Sequence, residues 1–369
     1  MTTGVYCVTD WKQGSGPELD DAFNAIFDDI SARALDGAAV LVPPGDHILR
    51  APVRIRHDFL TIAGFNNGFQ TGDGRGGGSH IRVVGEIGFH VPDHSEPPVE
   101  RLRSLTIRDL LLDGGTVGAG RTGILIERAN DNVVISANAI KSFENGVVVR
   151  RADALHVRDN MILENTACLR LIDGGIASIV SSNRMGGKPA GVTMEVEGHA
   201  RLVITANNLF PDGAANLVLK NSRACTVTGN QLQSYYTGMM QLDADSRDNV
   251  IAANQLLASV DPSGAWNINA SVTRPADFGL IRVEGQNNLL QGNGVWSQAP
   301  VAHAVMVVGG SRNTVMGQQL RADRFDAELL RVIDGAGAEA NLIVDTVDAD
   351  DLQTDDGVQV RFRPLPSLM

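Results

Sequence analysis

The run Val192–His199 alternates apolar and polar residues. In a strand, side chains point to opposite faces with period two. Val192, Met194 and Val196 are therefore expected inward, with Thr193, Glu195, Glu197 and His199 outward on one face. Two glutamates and a histidine on one face suit proton transfer, although a solvated strand face is the plainer reading of the same pattern. A repeat along the chain adds a second carboxylate source. Counting back ten residues from the repeat Asn207 gives Glu197, and the same offset in neighbouring copies gives Arg150, Asp173 and Lys220. Stacked strands lie about 4.8 Å apart, so this register predicts a ladder of alternating sign with Asp173 beside Glu197. Carboxylates about 5 Å apart serve as acid and base, or acid and nucleophile, in glycoside cleavage. A structural charge ladder is the competing explanation.

Glu197, Glu195 and Asp173 are thus the candidate catalytic residues. His199 joins them as a candidate substrate-binding group, together with Asp212, Tyr236 and Trp266. Tyr236 and Trp266 are rare aromatics in a chain with only 5% aromatic residues, and either ring can stack on a sugar. Packing explains them equally well, and Asp212 in Phe210-Pro211-Asp212-Gly213 also reads as a turn residue. His80 and Arg82 open an expected strand without an evident partner.

Other chemistries lack their signatures. The eight histidines are scattered, with no HExxH or paired spacing, so no metal site is expected. No GxSxG or Walker pattern occurs, and the Gly-rich stretch Gly72–Ser79 lacks the Lys-Ser/Thr partner of a phosphate loop. A net charge of −12 argues against nucleic acid as a partner. Cys7, Cys168 and Cys225 are too few and too far apart for a disulfide framework, and the last two sit in apolar stretches as buried thiols. No apolar run is long enough for a membrane span. Met1–Asp10 lacks the basic start and apolar core of a signal peptide, which leads to a cytoplasmic expectation.

The element that must position these side chains is the repeat itself. Val134-Ile135-Ser136-Ala137-Asn138-Ala139-Ile140 recurs as Val157-Arg158-Asp159-Asn160-Met161-Ile162 and as copies around Asn183, Asn207, Asn230, Asn254 and Asn293. Val315-Met316-Gly317-Gln318-Gln319-Leu320 is a degenerate eighth copy. The asparagines are about 22–24 residues apart, then about 39, and Gln318 of the degenerate copy follows about 25 later. Short β-rich units at this period, with 40 glycines and a core of Val, Ile, Leu and Ala, predict an all-β, right-handed parallel β-helix. Asn suits left-handed turns, and its amide can bond to the Asn of the next coil. Leucine-rich repeats share the period, but their Leu pattern is missing. The long interval carries an insertion around Ala258–Phe278. At the N-terminus, Pro17–Leu35 places Leu19, Phe23, Ile26, Phe27, Ile30 and Ala34 on one helical face, a helix that caps the open core. Ala39–Arg50 then reads as strand, Pro43-Pro44-Gly45-Asp46 turn, strand. The expected organisation is a single domain, 1–369: cap 1–38, coils 39–345, and a tail 346–369 that ends in a strand and a proline-rich stretch.

Several segments, in order across roughly Ala39–Gly310, resemble one family. They are Leu60-Thr61-Ile62-Ala63-Gly64-Phe65, Ser79-His80-Ile81-Arg82-Val83, Arg151-Ala152-Asp153-Ala154-Leu155, Asp159-Asn160-Met161-Ile162, Asn207-Asn208-Leu209-Phe210-Pro211 and Tyr236-Thr237-Gly238-Met239. They are similar to inulin fructotransferases and the related difructose-anhydride hydrolases. The resemblance implies a homotrimer of parallel β-helices with active sites between subunits, a fructan or small sugar as substrate, two working carboxylates and no cofactor. In that family a hydroxyl of one fructose attacks the anomeric carbon of the next to release a cyclic dianhydride, and relatives open the dianhydride with water. This chain departs from the pattern. Pro189-Ala190-Gly191-Val192 stands where the family has Pro-Asp-Gly-Val. Val196-Glu197-Gly198-His199-Ala200 keeps one of two glutamates, at Glu197. Two readings follow: a fructoside-active enzyme in which Asp173 or Glu195 replaces the lost Asp, or a non-catalytic or re-purposed member that binds or acts on a different glycoside.

Overall fold

The computed structural model describes residues 3–12, 14–69, 77–93, 101–118, 120–127, 129–187, 191–210, 215–235, 238–259, 279–298, 305–308, 310–322, 330–333, 341–344, 352–354 and 359–361. The chain divides into two compact units, Met1–Gly186 and Gly187–Met369. Each is built from parallel β-coils, as the repeat predicts.

In the first unit a coil runs through three short strands, each pairing in parallel with its counterpart one coil away. Val134–Ser136 pairs with His156–Arg158, which pairs with Ile179–Ser181. Ala139–Lys141 pairs with Met161–Leu163, and Asn145–Asp153 with Ala167–Ile176. This spacing stacks like on like. Ile135, Val157 and Val180 form one interior column and Ile140 and Ile162 another, all fully buried. Burying each such side chain contributes roughly 1.5–3 kcal/mol.

The repeat asparagines sit inside the first corner of each coil, where no water reaches them. The Asn138 backbone N–H and Nδ2 both donate to Asn160 Oδ1, at 3.0 and 3.2 Å, and Nδ2 also donates to the Ile107 carbonyl. Asn160 repeats the arrangement on Asn183. The ladder is as the repeat implies, but the left-handed turn is not at Asn. It falls on the residue before: Ala137 (φ 56°), Asp159 (φ 58°) and Ser182 (φ 57°). Asn keeps a φ that turns its amide inward, while the solvent-side neighbour takes the strained conformation.

The helix α1 spans Asp20–Ala32. Ala22, Phe23, Ile26, Phe27 and Ile30 are buried on it, and Phe23 packs edge-on against Phe89 at 5.8 Å. Asp20 and Asp21 in the first turn complement the helix dipole. The expected helical face extends too far, because Ala34 is exposed and left-handed (φ 47°) and lies beyond the helix stop.

In the second unit the same three-strand coil recurs. Val203–Thr205, Thr226–Thr228, Val250–Ala252, Leu289–Gln291, Thr314–Met316 and Leu342–Val344 pair in sequence. Asn207, Asn230, Asn254, Asn293 and Gln318 form an inner ladder within this unit, at 2.9–3.0 Å between side chains. The step from Asn254 to Asn293 holds this geometry across 39 residues. Between the strands Gln255–Ala258 and Ile281–Val283, residues 260–278 of the expected insertion lie outside the described residues. A second ladder runs up another corner, where Cys225 N–H donates to Asn249 Oδ1 and Asn249, Asn288, Asn313 and Asn341 follow. Cys168 and Cys225 are buried, as their apolar settings suggest.

Candidate functional site on the outer face of the second unit

The strand Val192–Glu197 pairs in parallel with Ala215–Lys220 and sets the outward column. Met194 and Val196 are fully buried and Glu197 is exposed, as alternation requires. Of the expected outward residues Thr193, Glu195 and His199 are buried, and Val192, expected inward, is half-buried. Thr193 stands opposite Asn216, whose N–H bonds to the Met239 carbonyl, and all three are fully buried. The chain is still rounding a corner there, so the consecutive residues Thr193 and Met194 both face the interior. His199 is fully buried as well. Gly198 takes a left-handed φ of 72° and ends the alternation. The bridges Ala200–Arg223 and Arg223–Arg247 then place His199 in line with Ser222 and Ser246, both buried. Burial pushes the His199 imidazole down to about 4, and neither ring nitrogen has a hydrogen-bond partner among the described residues. A side chain so enclosed does not suit the surface sugar-binding role expected of His199.

The outer face keeps two carboxylates. Glu195 and Glu197 are two residues apart on one side of one strand, so their Cα atoms are about 6.6 Å apart. Glu197 is in register with Lys220, yet Lys220 Nζ donates instead to Glu195 Oε1 at 2.5 Å. The Glu195 side chain is 11% exposed and that of Lys220 45%. The ammonium thus satisfies the buried acid, where an uncompensated charge costs most. Glu197 makes no hydrogen bond or ion pair among the described residues and faces solvent. The columns continue through residues that sequence reasoning did not single out. Val218, Gln241 and Arg282 follow Glu195, and Arg282 Nε donates to Glu284 Oε1 at 2.7 Å. Arg282 and Glu284 lie beyond the insertion, where counting from the repeat Asn loses register.

Asp173 belongs to the first unit. There the predicted ladder slips by one, because Arg150 is in register with Ile172 and a bulge follows. Asp173 occupies the bulge with φ 61°, and the Arg150 guanidinium reaches it at 2.5 Å. Asp212, Tyr236, Trp266 and Ala190 lie outside the described residues. His80 proves to have partners. Its Nδ1 meets Asp46 Oδ1 at 2.8 Å, and Asp113 is 3.8 Å from Nε2 and 3.5 Å from Lys141 Nζ. No group of three or more metal-ligating side chains is found among the described residues.

A family profile described as periplasmic copper-binding protein (NosD) matches residues 103–270, less than half of the chain. An inulin fructotransferase (DFA-I-forming) of Arthrobacter globiformis is 30% identical over 325 residues, covering 79% of this chain and 80% of the relative. The DFA-IIIase of Arthrobacter chlorophenolicus A6, solved without its lid, superposes with a TM-score of 0.88 at 26% identity, covering 98% of this chain and 99% of that one. Its complex with GF2 gives 0.87 at 27% identity, with the same coverage. The A-module of mannuronan C-5 epimerase AlgE4 of Azotobacter vinelandii (TM-score 0.59, 15% identity, 98% of each chain) shares the fold alone.

Proposed function

This chain belongs to the inulin fructotransferase family, and on that premise we propose that it is a fructoside-active enzyme that forms or opens a difructose anhydride, with Glu197 and Glu195 as its working carboxylates. One observation carries the assignment of residues: Glu197 is an exposed, uncompensated carboxylate beside Glu195, which Lys220 holds in place.

The division of labour follows from these environments. Glu197 gives a proton to the departing glycosidic oxygen as its bond to the anomeric carbon breaks. It recovers a proton from the attacking hydroxyl as the new C–O bond forms, so each turnover leaves the carboxyl as it began. With water as the attacking group the same exchange opens the dianhydride. Glu195, fixed by Lys220, provides negative charge beside the oxocarbenium-like centre. Asp173 is not assigned a role, because Arg150 engages it on its bulge. The family resemblance also supports a homotrimer, for which light scattering should give three chains per particle. A fructan or a difructose anhydride is the proposed partner.

The test is product chromatography with inulin, short fructans and difructose anhydrides. Glu197→Gln should lower turnover about 10³-fold, the scale of a lost proton-transfer group. Full activity in that variant removes Glu197 from the mechanism. Sugar binding without any product from the parent chain favours a non-catalytic member.

A further inference from the structure

A hollow of about 560 Å³ with a mixed polar and apolar lining lies between α1 and the chain around Arg54–His57, far in sequence from Glu195 and Glu197. Small-ligand sites typically enclose about 300–1,000 Å³. One wall is α1, where Asn24, Asp28 and Ser31 recur at helical spacing and stand exposed. The opposite wall is Arg54 and Arg56, two residues apart and both exposed. Arg54 has no ion pair among the described residues, although Asp28 lines the same hollow. Phe27 and His57 complete the lining, with ring centroids 5.4 Å apart, and Ser31 Oγ is 2.9 Å from His57 Nε2. Burial lowers the His57 pKa, which keeps the imidazole neutral near pH 7.

We infer that this hollow is a second carbohydrate site, which holds neutral sugar units of a fructan away from the reacting bond. The donor set comprises the Arg54 guanidinium fork, the Asn24 amide and the Ser31 hydroxyl, with the Arg56 charge beside them. The acceptors are the Asp28 carboxylate and the Asn24 and Ser31 oxygens. A sugar hydroxyl both donates and accepts, so a mixed lining suits it. A phosphate or carboxylate would gain the two arginines but face Asp28 across the same space. The inference rests on the fructoside reading for its choice of sugar, and stands apart from the roles of Glu195 and Glu197.

The experiment uses the full chain carrying Glu197→Gln, titrated calorimetrically with a neutral fructan trisaccharide and separately with inorganic phosphate. Two sugar-binding events per chain are expected. Adding Asn24→Ala with Arg54→Ala should weaken one of them by about tenfold or more and leave the other, and a sugar-soaked crystal should show density against Arg54. Should the double variant lose its cooperative thermal transition, Arg54→Lys, which retains the charge but not the fork, replaces it and should weaken the same event. A single event that ignores the cap substitutions, or phosphate binding without sugar binding, overturns the inference. A cap-dependent event in a chain whose Glu197→Gln variant remains fully active sustains it and removes the catalytic assignment instead.

Discussion

One ion pair from each unit, Arg150–Asp173 and Lys220–Glu195, sits on the same kind of strand, and the two are not alike. In the first, Arg150 and Asp173 are 37% and 44% exposed, and the acid rides on a bulge. In the second, Lys220 reaches past its registered neighbour Glu197 to a Glu195 that is only 11% exposed. The first is a mutual surface pair of the kind worth about 0–1 kcal/mol. The second leaves one carboxylate clamped and the next one unattended. Net charge alone does not distinguish the two places; the difference lies in which carboxylate is left uncompensated.

The comparison can be broken or sharpened by experiment. The largest contrast should be in turnover. Glu195→Gln should cost about 10³-fold, on the scale of a lost electrostatic stabiliser, whereas Asp173→Asn should leave the rate within about twofold, since surface changes away from a site are near neutral. An equal loss in Asp173→Asn would give Asp173 a part in turnover and overturn the contrast. Next comes pH. The His199 of the second unit is neutral when folded down to about 4, whereas an exposed histidine protonates near 6.5. The unfolded chain therefore takes up a proton that the native state refuses between these values, and stability falls as pH drops from 6.5 towards 4. The loss should approach about 3 kcal/mol, and denaturation of His199→Leu across this range should lack that component. Lys220→Met comes third, stranding Glu195 at a cost of about 1–2 kcal/mol, read as a fall in the urea midpoint. Arg150→Met should cost no more than about 0.5 kcal/mol, and 1 M salt should reduce that further.

Much of the fold was legible because the repeat asparagines carry both a period and a reason for it: a buried amide that links one coil to the next. The second ladder was not, since its early positions are Leu202 and Cys225, and Asn appears only from Asn249 onward. The left-handed turn lies one residue before the Asn that the repeat points to, at Ala137 and its equivalents. At the site, strict alternation correctly exposed Glu197. It failed at Thr193 and His199, where a corner and the left-handed Gly198 reset the facing. The cluster of Asp46, His80, Asp113 and Lys141 was hidden because these residues come from irregular early coils with no common spacing.

The asparagine ladder has a consequence for the speed at which the backbone opens. Each internal amide both gives and receives: Asn254 Oδ1 takes two bonds from Asn230, while its Nδ2 donates to Val227 O and to Asn293. No coil in the middle of the row can release its own amide without orphaning a neighbour's. Opening should therefore start at the ends of each row, and deuterium should enter last at the backbone N–H groups of Asn230 and Asn254. Asn254→Ala would create a new end there, and exchange on both sides of the break should quicken together.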